Sequence, residues 1–182
     1  VVGCGIAGLA TAVSALERGA RVAILERAPV EERGGNTRWT EAYLRMKAED
    51  AVSDDFVAHF AANAGHHLDP SLVAATAADY DNWPSIVKTL NFTDPEIVDT
   101  LAADAPATLA WLKTQGVRFE FLPTFFITSA QPRLLPVGGG LALIEALAPQ
   151  AERGGAAFFY ETTARRLLQD GSGAVVGLEA VG

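Results

Sequence analysis

Cysteine is almost absent: Cys4 is the only one in 182 residues, which excludes an internal disulfide. Histidine occurs three times, as His59, His66 and His67, and no Cys/His set has the spacing of a zinc site. The three sit on or just after a helical pattern with no matching acid, so we read them as a solvated helix end. Basic residues are also few. Fourteen Lys and Arg stand against 22 Asp and Glu, a formal charge of −8, which argues against a binder of nucleic-acid phosphates. No apolar run approaches the ~18–20 uncharged residues of a membrane span. The best candidate, Ile6 to Leu16, is broken off by Glu17 and Arg18.

Apolar residues, by contrast, make up 49% of the chain, enough to bury a core and far from the composition of disordered chains. The length suits one domain. Val1-Val2 precedes a glycine cluster with no initiator Met, whereas a buried strand usually has ~5–6 residues. The last residues read as a strand. We therefore expect a piece of a longer protein, which leaves targeting signals unread; a cytoplasmic location is the working expectation.

Val1 to Gly3 reads as a strand, Ile6 to Arg18 as a helix ended by Gly19, and Arg21 to Glu26 as a second strand whose continuous apolar run suits a parallel sheet buried on both faces. Together they make a βαβ unit. Pro29 to Asn36 is a loop. Asp54 to Ala64, Pro70 to Thr89 (kinked at Pro84) and Pro106 to Gln115 follow as amphipathic helices. Val117 to Leu122 and Thr124 to Thr128 read as strands, Gln131 to Gly140 as a loop, and Leu141 to Glu152 as a helix. Ala157 to Tyr160, Thr162 to Gln169 and Ala174 to Val181 are strands, the last two joined by Asp170-Gly171-Ser172-Gly173. Trp83 and Trp111 are expected in the core, and Trp39 as a core anchor more than as a cofactor contact. Arg165-Arg166 belongs to a solvated strand face.

Gly3-Cys4-Gly5-Ile6-Ala7-Gly8 is a G-x-G-x-x-G placed after a strand and opening a helix. Gly3 allows the tight turn, Gly5 a close approach of backbone to a pyrophosphate, and Gly8 close packing of helix on strand. The helix N-terminus supplies an anion site. Glu26 lies 26 − 8 = 18 residues beyond Gly8, at the end of the next strand, where its carboxylate can accept both ribose hydroxyls of an adenosine. Cys4, at a variable loop position, reads as a small buried residue. The loop serves FAD and NAD equally well, so both stay open at this point.

The continuation differs from the short βα units of a nicotinamide domain: Arg27-Ala28-Pro29, then Gly34-Gly35-Asn36-Thr37-Arg38-Trp39-Thr40, then a long helical excursion. Here the chain resembles the FAD-dependent succinate dehydrogenase, fumarate reductase and 3-ketosteroid dehydrogenase flavoproteins. The resemblance rests on Val2-Gly3-x-Gly5-x-x-Gly8-Leu9-x-x-Ala12, Glu26-Arg27, Gly34-Gly35-Asn36-Thr37, Gly138-Gly139-Gly140-Leu141, Tyr160-Glu161-Thr162-x-Ala164 and Gly173-x-Val175-x-Gly177. Fumarate reductases place a second Gly-Gly where this chain has Ala42-Tyr43. Gly-Gly-Asn-Thr-Arg-Trp-Thr followed by Leu44-Arg45-Met46 is similar to the tricarballylate dehydrogenase branch.

The resemblance implies an α/β, Rossmann-like FAD-binding domain with a parallel sheet, a helical insertion and the start of a β-meander, incomplete in this chain. Residues 1–47 would be the βαβ unit and flavin loop, 48–116 the helical excursion, and 117–182 the return to the core and the meander. It further implies that Gly3, Gly5, Ile6, Ala7 and Gly8 hold the pyrophosphate, Glu26 and Arg27 the adenosine ribose region, and Asn36 and Thr37, after Gly34 and Gly35, the pyrophosphate and flavin side. Thr40 would lie near the isoalloxazine, and Ala164 would meet the adenine through its backbone. The expected activity is dehydrogenation or reduction of a C–C bond next to a carboxylate, on a tricarballylate-like polycarboxylate. The electron acceptor is unassigned, and the catalytic base is expected outside this chain. Arg38 and Arg45 flank the expected flavin face, where a guanidinium can grip a carboxylate bidentately; pairing at the surface or with FAD phosphate is the other reading. A fumarate reductase or 3-ketosteroid dehydrogenase relative, an NAD-binding dehydrogenase, and an FAD-binding fragment without turnover of its own are the alternatives.

Overall fold

The structure, a computed structural model, describes residues 1–53, 95–122 and 133–182. The elements in chain order are α1 (Ile6–Glu17), β1 (Ala23–Leu25), β2 (Met46–Ala48), β3 (Ala51–Val52), α2 (Pro95–Thr114), β4 (Phe119–Phe121), β5 (Leu134–Pro136), α3 (Gly139–Arg153), β6 (Ala157–Phe159), β7 (Thr163–Gln169) and β8 (Val175–Val181). Two short 3-10 segments, Val30–Glu32 and Gly35–Trp39, lie between β1 and β2. The chain divides into two compact units. The first is Val1–Leu44, Leu112–Phe121 and Leu134–Gly182; the second is Arg45–Trp111 and Leu122–Arg133.

In the first unit β1 is the middle of a parallel arrangement. Backbone groups of alternate residues in a strand point to opposite edges. On one edge Leu25 accepts from the Gly3 N–H (2.7 Å) and donates to the Val1 carbonyl (3.0 Å). On the other, β1 runs parallel to β6 with Ile24 opposite Phe158. Both crossovers step the same way across the sheet, so right-handedness puts both connecting helices on one face. There α1 and α3 pack together. The apolar residues are spaced for it: Leu9, Ala12 and Val13 on α1, and Leu143, Ile144, Leu147, Ala148 and Ala151 on α3, are buried. At 25 cal/mol per Å² each such Leu or Ile contributes about 1.5–3 kcal/mol.

β4 pairs antiparallel with β5, and Leu134 also exchanges both backbone bonds with Leu44 (2.8 and 2.9 Å). β7 and β8 form an antiparallel hairpin. In the second unit β2 and β3 form a small antiparallel pair with a bulge, and Val98, Ala105 and Leu109 on α2 are buried.

Several expectations shift. α2 runs from Pro95, so Pro106 lies inside the helix and does not start it. Four neighbouring alanines (102, 103, 105 and 107) favour the helix enough to carry it across the proline. Leu134–Pro136 is a strand within the span read as loop; at three residues it is too short to show periodicity. The loop Pro29 to Asn36 holds 3-10 turns, and α3 starts at Gly139, two residues early. The βαβ unit, Gly19 at φ +78° after α1, and the final hairpin stand where expected. The helices Asp54 to Ala64 and Pro70 to Thr89, the strand Thr124 to Thr128, the three histidines and Trp83 lie outside the described residues.

Candidate functional site

The three glycines of the first loop differ in what the polypeptide demands of them. Gly3 adopts φ +88°, the left-handed region that disfavours a side chain. At Gly8 a Cβ would lie 2.0 Å from the Gly3 carbonyl oxygen, so only glycine lets the helix sit on the strand. Gly5 has neither constraint. It is the N-cap of α1 at φ −69°, and a Cβ there would meet nothing closer than Thr37 Oγ1 at 3.5 Å. The fold alone leaves room for a Cβ at Gly5; a group lying against that backbone would not.

The first ladder bond of α1 is Leu9 N–H to the Gly5 carbonyl (3.0 Å), so the N–H groups of Ile6, Ala7 and Gly8 precede the ladder. Ile6 N–H donates to Thr37 Oγ1 (3.1 Å). The first turn carries no acidic residue and Gly5 offers no side-chain cap. A helix start without its own carboxylate is suited to an anion.

Glu26 is 6% exposed. Its Oε2 accepts the Cys4 N–H (2.7 Å) and its Oε1 the Ala28 N–H (2.9 Å), which ties the glycine loop to the end of β1. Each carboxylate oxygen has a further lone pair for a hydroxyl. Cys4 is fully buried, and burial, together with the Glu26 carboxylate, pushes its thiol up to about 12. Arg27, next along, is exposed. Beside it the chain returns at Glu161, with φ +53°, whose N–H donates to the Ala28 carbonyl (3.2 Å), and Thr162 N–H donates to the Glu26 carbonyl (2.9 Å). Ala164 follows on β7, opposite Ala180.

Gly34 (φ +121°) and Gly35 (φ +52°) open the second 3-10 segment. Gly34 is buried, while Asn36 and Thr40 are exposed and Thr37 is half-buried. α3 begins against this segment. A Cβ on Gly140 would stand 1.9 Å from the Thr37 carbonyl oxygen, and the Gly140 N–H donates to the Thr40 carbonyl (2.7 Å). The Gly138-Gly139-Gly140 stretch is therefore a packing device for the Gly34–Thr40 loop. Gly3 to Gly8, Glu26, Gly34 to Thr40 and Ala164 all fall in the first unit, whereas Arg45 opens the second.

Trp39 is 80% exposed, which corrects its reading as a core anchor: the 3-10 turn directs it outward, under the Arg38 guanidinium at 5.1 Å from the ring centroid. Trp111 is half-buried. Arg38 donates to the carbonyls of Glu31 (2.8 Å) and Arg33 (3.1 Å), so its charge braces the loop. Arg166 is exposed and pairs with Glu179 across the hairpin (2.9 Å). Sequence reasoning missed Arg33, Glu152 and Phe158, and gave Tyr160 no role beyond its place in the Tyr160-Glu161-Thr162-x-Ala164 stretch. Arg33 donates to Glu152 Oε1 (2.5 Å) and Tyr160 Oη (2.6 Å), partners 119 and 127 residues away, and no local pattern announces such a pair. Among the described residues no helix is long and apolar enough to cross a membrane, and no His/Cys/Asp/Glu group could hold a metal ion.

Three comparisons bear on this geometry. The curated vinyl phenol reductase of Lactiplantibacillus plantarum is 29% identical over 178 residues, covering 98% of this chain and 32% of the reductase. A 3-ketosteroid-Δ4-(5α)-dehydrogenase from Rhodococcus jostii RHA1, solved with 4-androstene-3,17-dione, superposes with TM-score 0.66 at 22% identity, covering 99% of this chain and 41% of that one. The open conformation of a flavocytochrome c3 fumarate reductase gives TM-score 0.67 at 19% identity, covering 98% and 29%. The chain thus spans about a third of the length of the curated relative it matches. The two structures share the mixed α/β fold, and the expected parallel sheet with helices and antiparallel strands is borne out. A family model described as "FAD binding domain" matches residues 1–181, which settles the choice of cofactor between FAD and NAD: the chain belongs to the FAD binding domain family.

Proposed function

We propose that this chain is the FAD-binding portion of a flavoprotein oxidoreductase that dehydrogenates, or in reverse reduces, a C–C bond next to a carboxylate of a tricarballylate-like substrate. FAD, when bound, supplies the two-electron chemistry. The chain's own residues bind and orient it. The N–H groups of Ala7 and Gly8, with Gly3, Gly5 and Ile6, receive the pyrophosphate; Glu26 and Arg27 take the adenosine ribose; Ala164 meets the adenine. Gly34, Gly35, Asn36 and Thr37 extend the phosphate cradle, and Thr40 lies toward the isoalloxazine. The observation that carries the cofactor part of this reading is Gly5, where the polypeptide leaves room for a Cβ, at the uncapped start of α1. A substrate, an electron acceptor and a cytoplasmic location complete the reading.

A second substrate class has its own support. The curated relative is named for a vinyl phenol and one structural relative binds a ketosteroid, both neutral molecules. Arg38, one of two cations expected to hold a carboxylate, is spent on loop carbonyls. The test is anaerobic mixing of the oxidised full-length flavoprotein with tricarballylate, succinate and a 3-ketosteroid, and of the reduced one with fumarate and 4-vinylphenol. Bleaching by tricarballylate is the expected result. Turnover of the steroid or the vinylphenol alone overturns the polycarboxylate reading.

A further inference from the structure

The segment Arg33 to Thr40 is held along α3 at three levels. Near the helix start, Gly140 packs on the Thr37 carbonyl and binds the Thr40 carbonyl. Midway, the space a Cβ on Gly34 would need ends at Ile144 Cγ1, 3.0 Å away. In the last turn, Glu152 takes the Arg33 guanidinium. Gly140 and Glu152 are 12 residues apart, about 18 Å along the helix axis. The same segment delivers Thr37 Oγ1 to the Ile6 N–H at the start of α1.

Of these attachments along α3 only the one made by Arg33 is charged. Its side chain is 18% exposed, so its charge is largely out of water and must be matched. Glu152 and Tyr160 both accept from it, and Phe158, whose ring stacks on Tyr160 with centroids 5.5 Å apart, lies under the guanidinium at 6.0 Å. The partners also hold Arg33 charged, while burial raises the Tyr160 hydroxyl, which stays protonated. A guanidinium whose Nη1 is fixed between the last turn of α3 and Tyr160, just beyond β6, sets where the next residue, Gly34, begins.

We infer that Arg33 is a positioning residue for FAD: anchored by Glu152 and Tyr160, it sets the Gly34–Thr37 loop so that Thr37 stays at the start of α1, without itself touching the cofactor. This inference rests on the FAD reading of that site. The test uses the full-length flavoprotein and four variants, Arg33→Met, Arg33→Lys, Tyr160→Phe and the double variant Arg33→Met/Glu152→Leu. For each, the FAD dissociation constant and the melting temperature of the apo-protein are measured. Arg33→Met should weaken FAD about tenfold or more, and Tyr160→Phe by less, the scale of hydrogen bonds to a charged group. Arg33→Lys, which keeps the charge on a shorter side chain and loses the planar group over Phe158, should fall between wild type and Arg33→Met. The double variant replaces the ion pair by apolar groups and should recover apo-protein stability, yet keep the weakened FAD binding. FAD affinity that merely follows melting temperature across the set overturns the inference, as does unchanged affinity in Arg33→Lys and Tyr160→Phe. If Arg33→Met does not fold, those two conservative variants decide. Wild-type protein that binds no flavin would overturn the FAD reading itself, a separate outcome.

Discussion

At the scale of single residues, buried polar groups separate structural from binding roles. Glu26 serves both, because the oxygens proposed to receive ribose already hold the Cys4 and Ala28 N–H groups. Glu26→Ala is therefore expected to weaken FAD by about 1.5–3 kcal/mol and also to lower apo-protein stability by about 1–3 kcal/mol, from one buried and one part-buried donor left unmatched. Flavin titration and thermal melts of the apo-protein check the two parts; a loss of affinity with unchanged melting would show that the loop does not depend on the carboxylate. Cys4, buried with its thiol pushed up to about 12, should be inert. It should stay unmodified by iodoacetamide at pH 8 in the native protein and react once guanidinium unfolds the chain. Arg45→Ala is expected to cost about 2–4 kcal/mol in kcat/KM for a polycarboxylate and to leave FAD affinity alone. Unaltered kinetics in that variant would return Arg45 to a structural role.

At the scale of elements, what was legible in the sequence was what local rules encode. The first βαβ unit and the final hairpin follow from periodicity and glycine punctuation, and Glu26 from its spacing after the glycine loop. Residues whose role depends on distant chain were not legible. Gly140 is glycine because the Thr37 carbonyl approaches it, and Arg33 finds partners more than a hundred residues away. Pro106 misled because a helix start and a tolerated helix interior read alike. The β7–β8 turn shows local chemistry at its clearest: Asp170 Oδ1 accepts the N–H groups of Ser172 (2.8 Å) and Ala174 (3.1 Å) and the Ser172 hydroxyl (2.6 Å). Those bonds lower the Asp170 pKa below its ordinary 3.8. A lowered folded-state pKa means that the stabilisation is complete above the ordinary value and is lost as pH falls through the lowered one. Amide chemical shifts of residues 170–174 should move on acidification through that range. In Asp170→Asn, which keeps an acceptor but does not titrate, they should stay flat.

At the scale of the molecule, the first unit brings together four stretches that are far apart in the chain. The glycine loop, the end of β1, the Gly34–Thr40 segment and the return at Glu161–Ala164 are joined by hydrogen bonds from loop N–H groups to Glu26, Thr37 and Ala28. The central claim is that FAD lies along this seam with its phosphates at the start of α1. The most direct measurement is equilibrium FAD titration, followed by flavin fluorescence, of the full-length protein and of Gly5→Val, with far-UV circular dichroism on both apo-proteins. Gly5 sits at φ −69° with room for a Cβ, so the variant should keep its circular dichroism and lose more FAD affinity than Glu26→Ala does. A folded Gly5→Val protein that binds FAD as tightly as wild type would contradict the account.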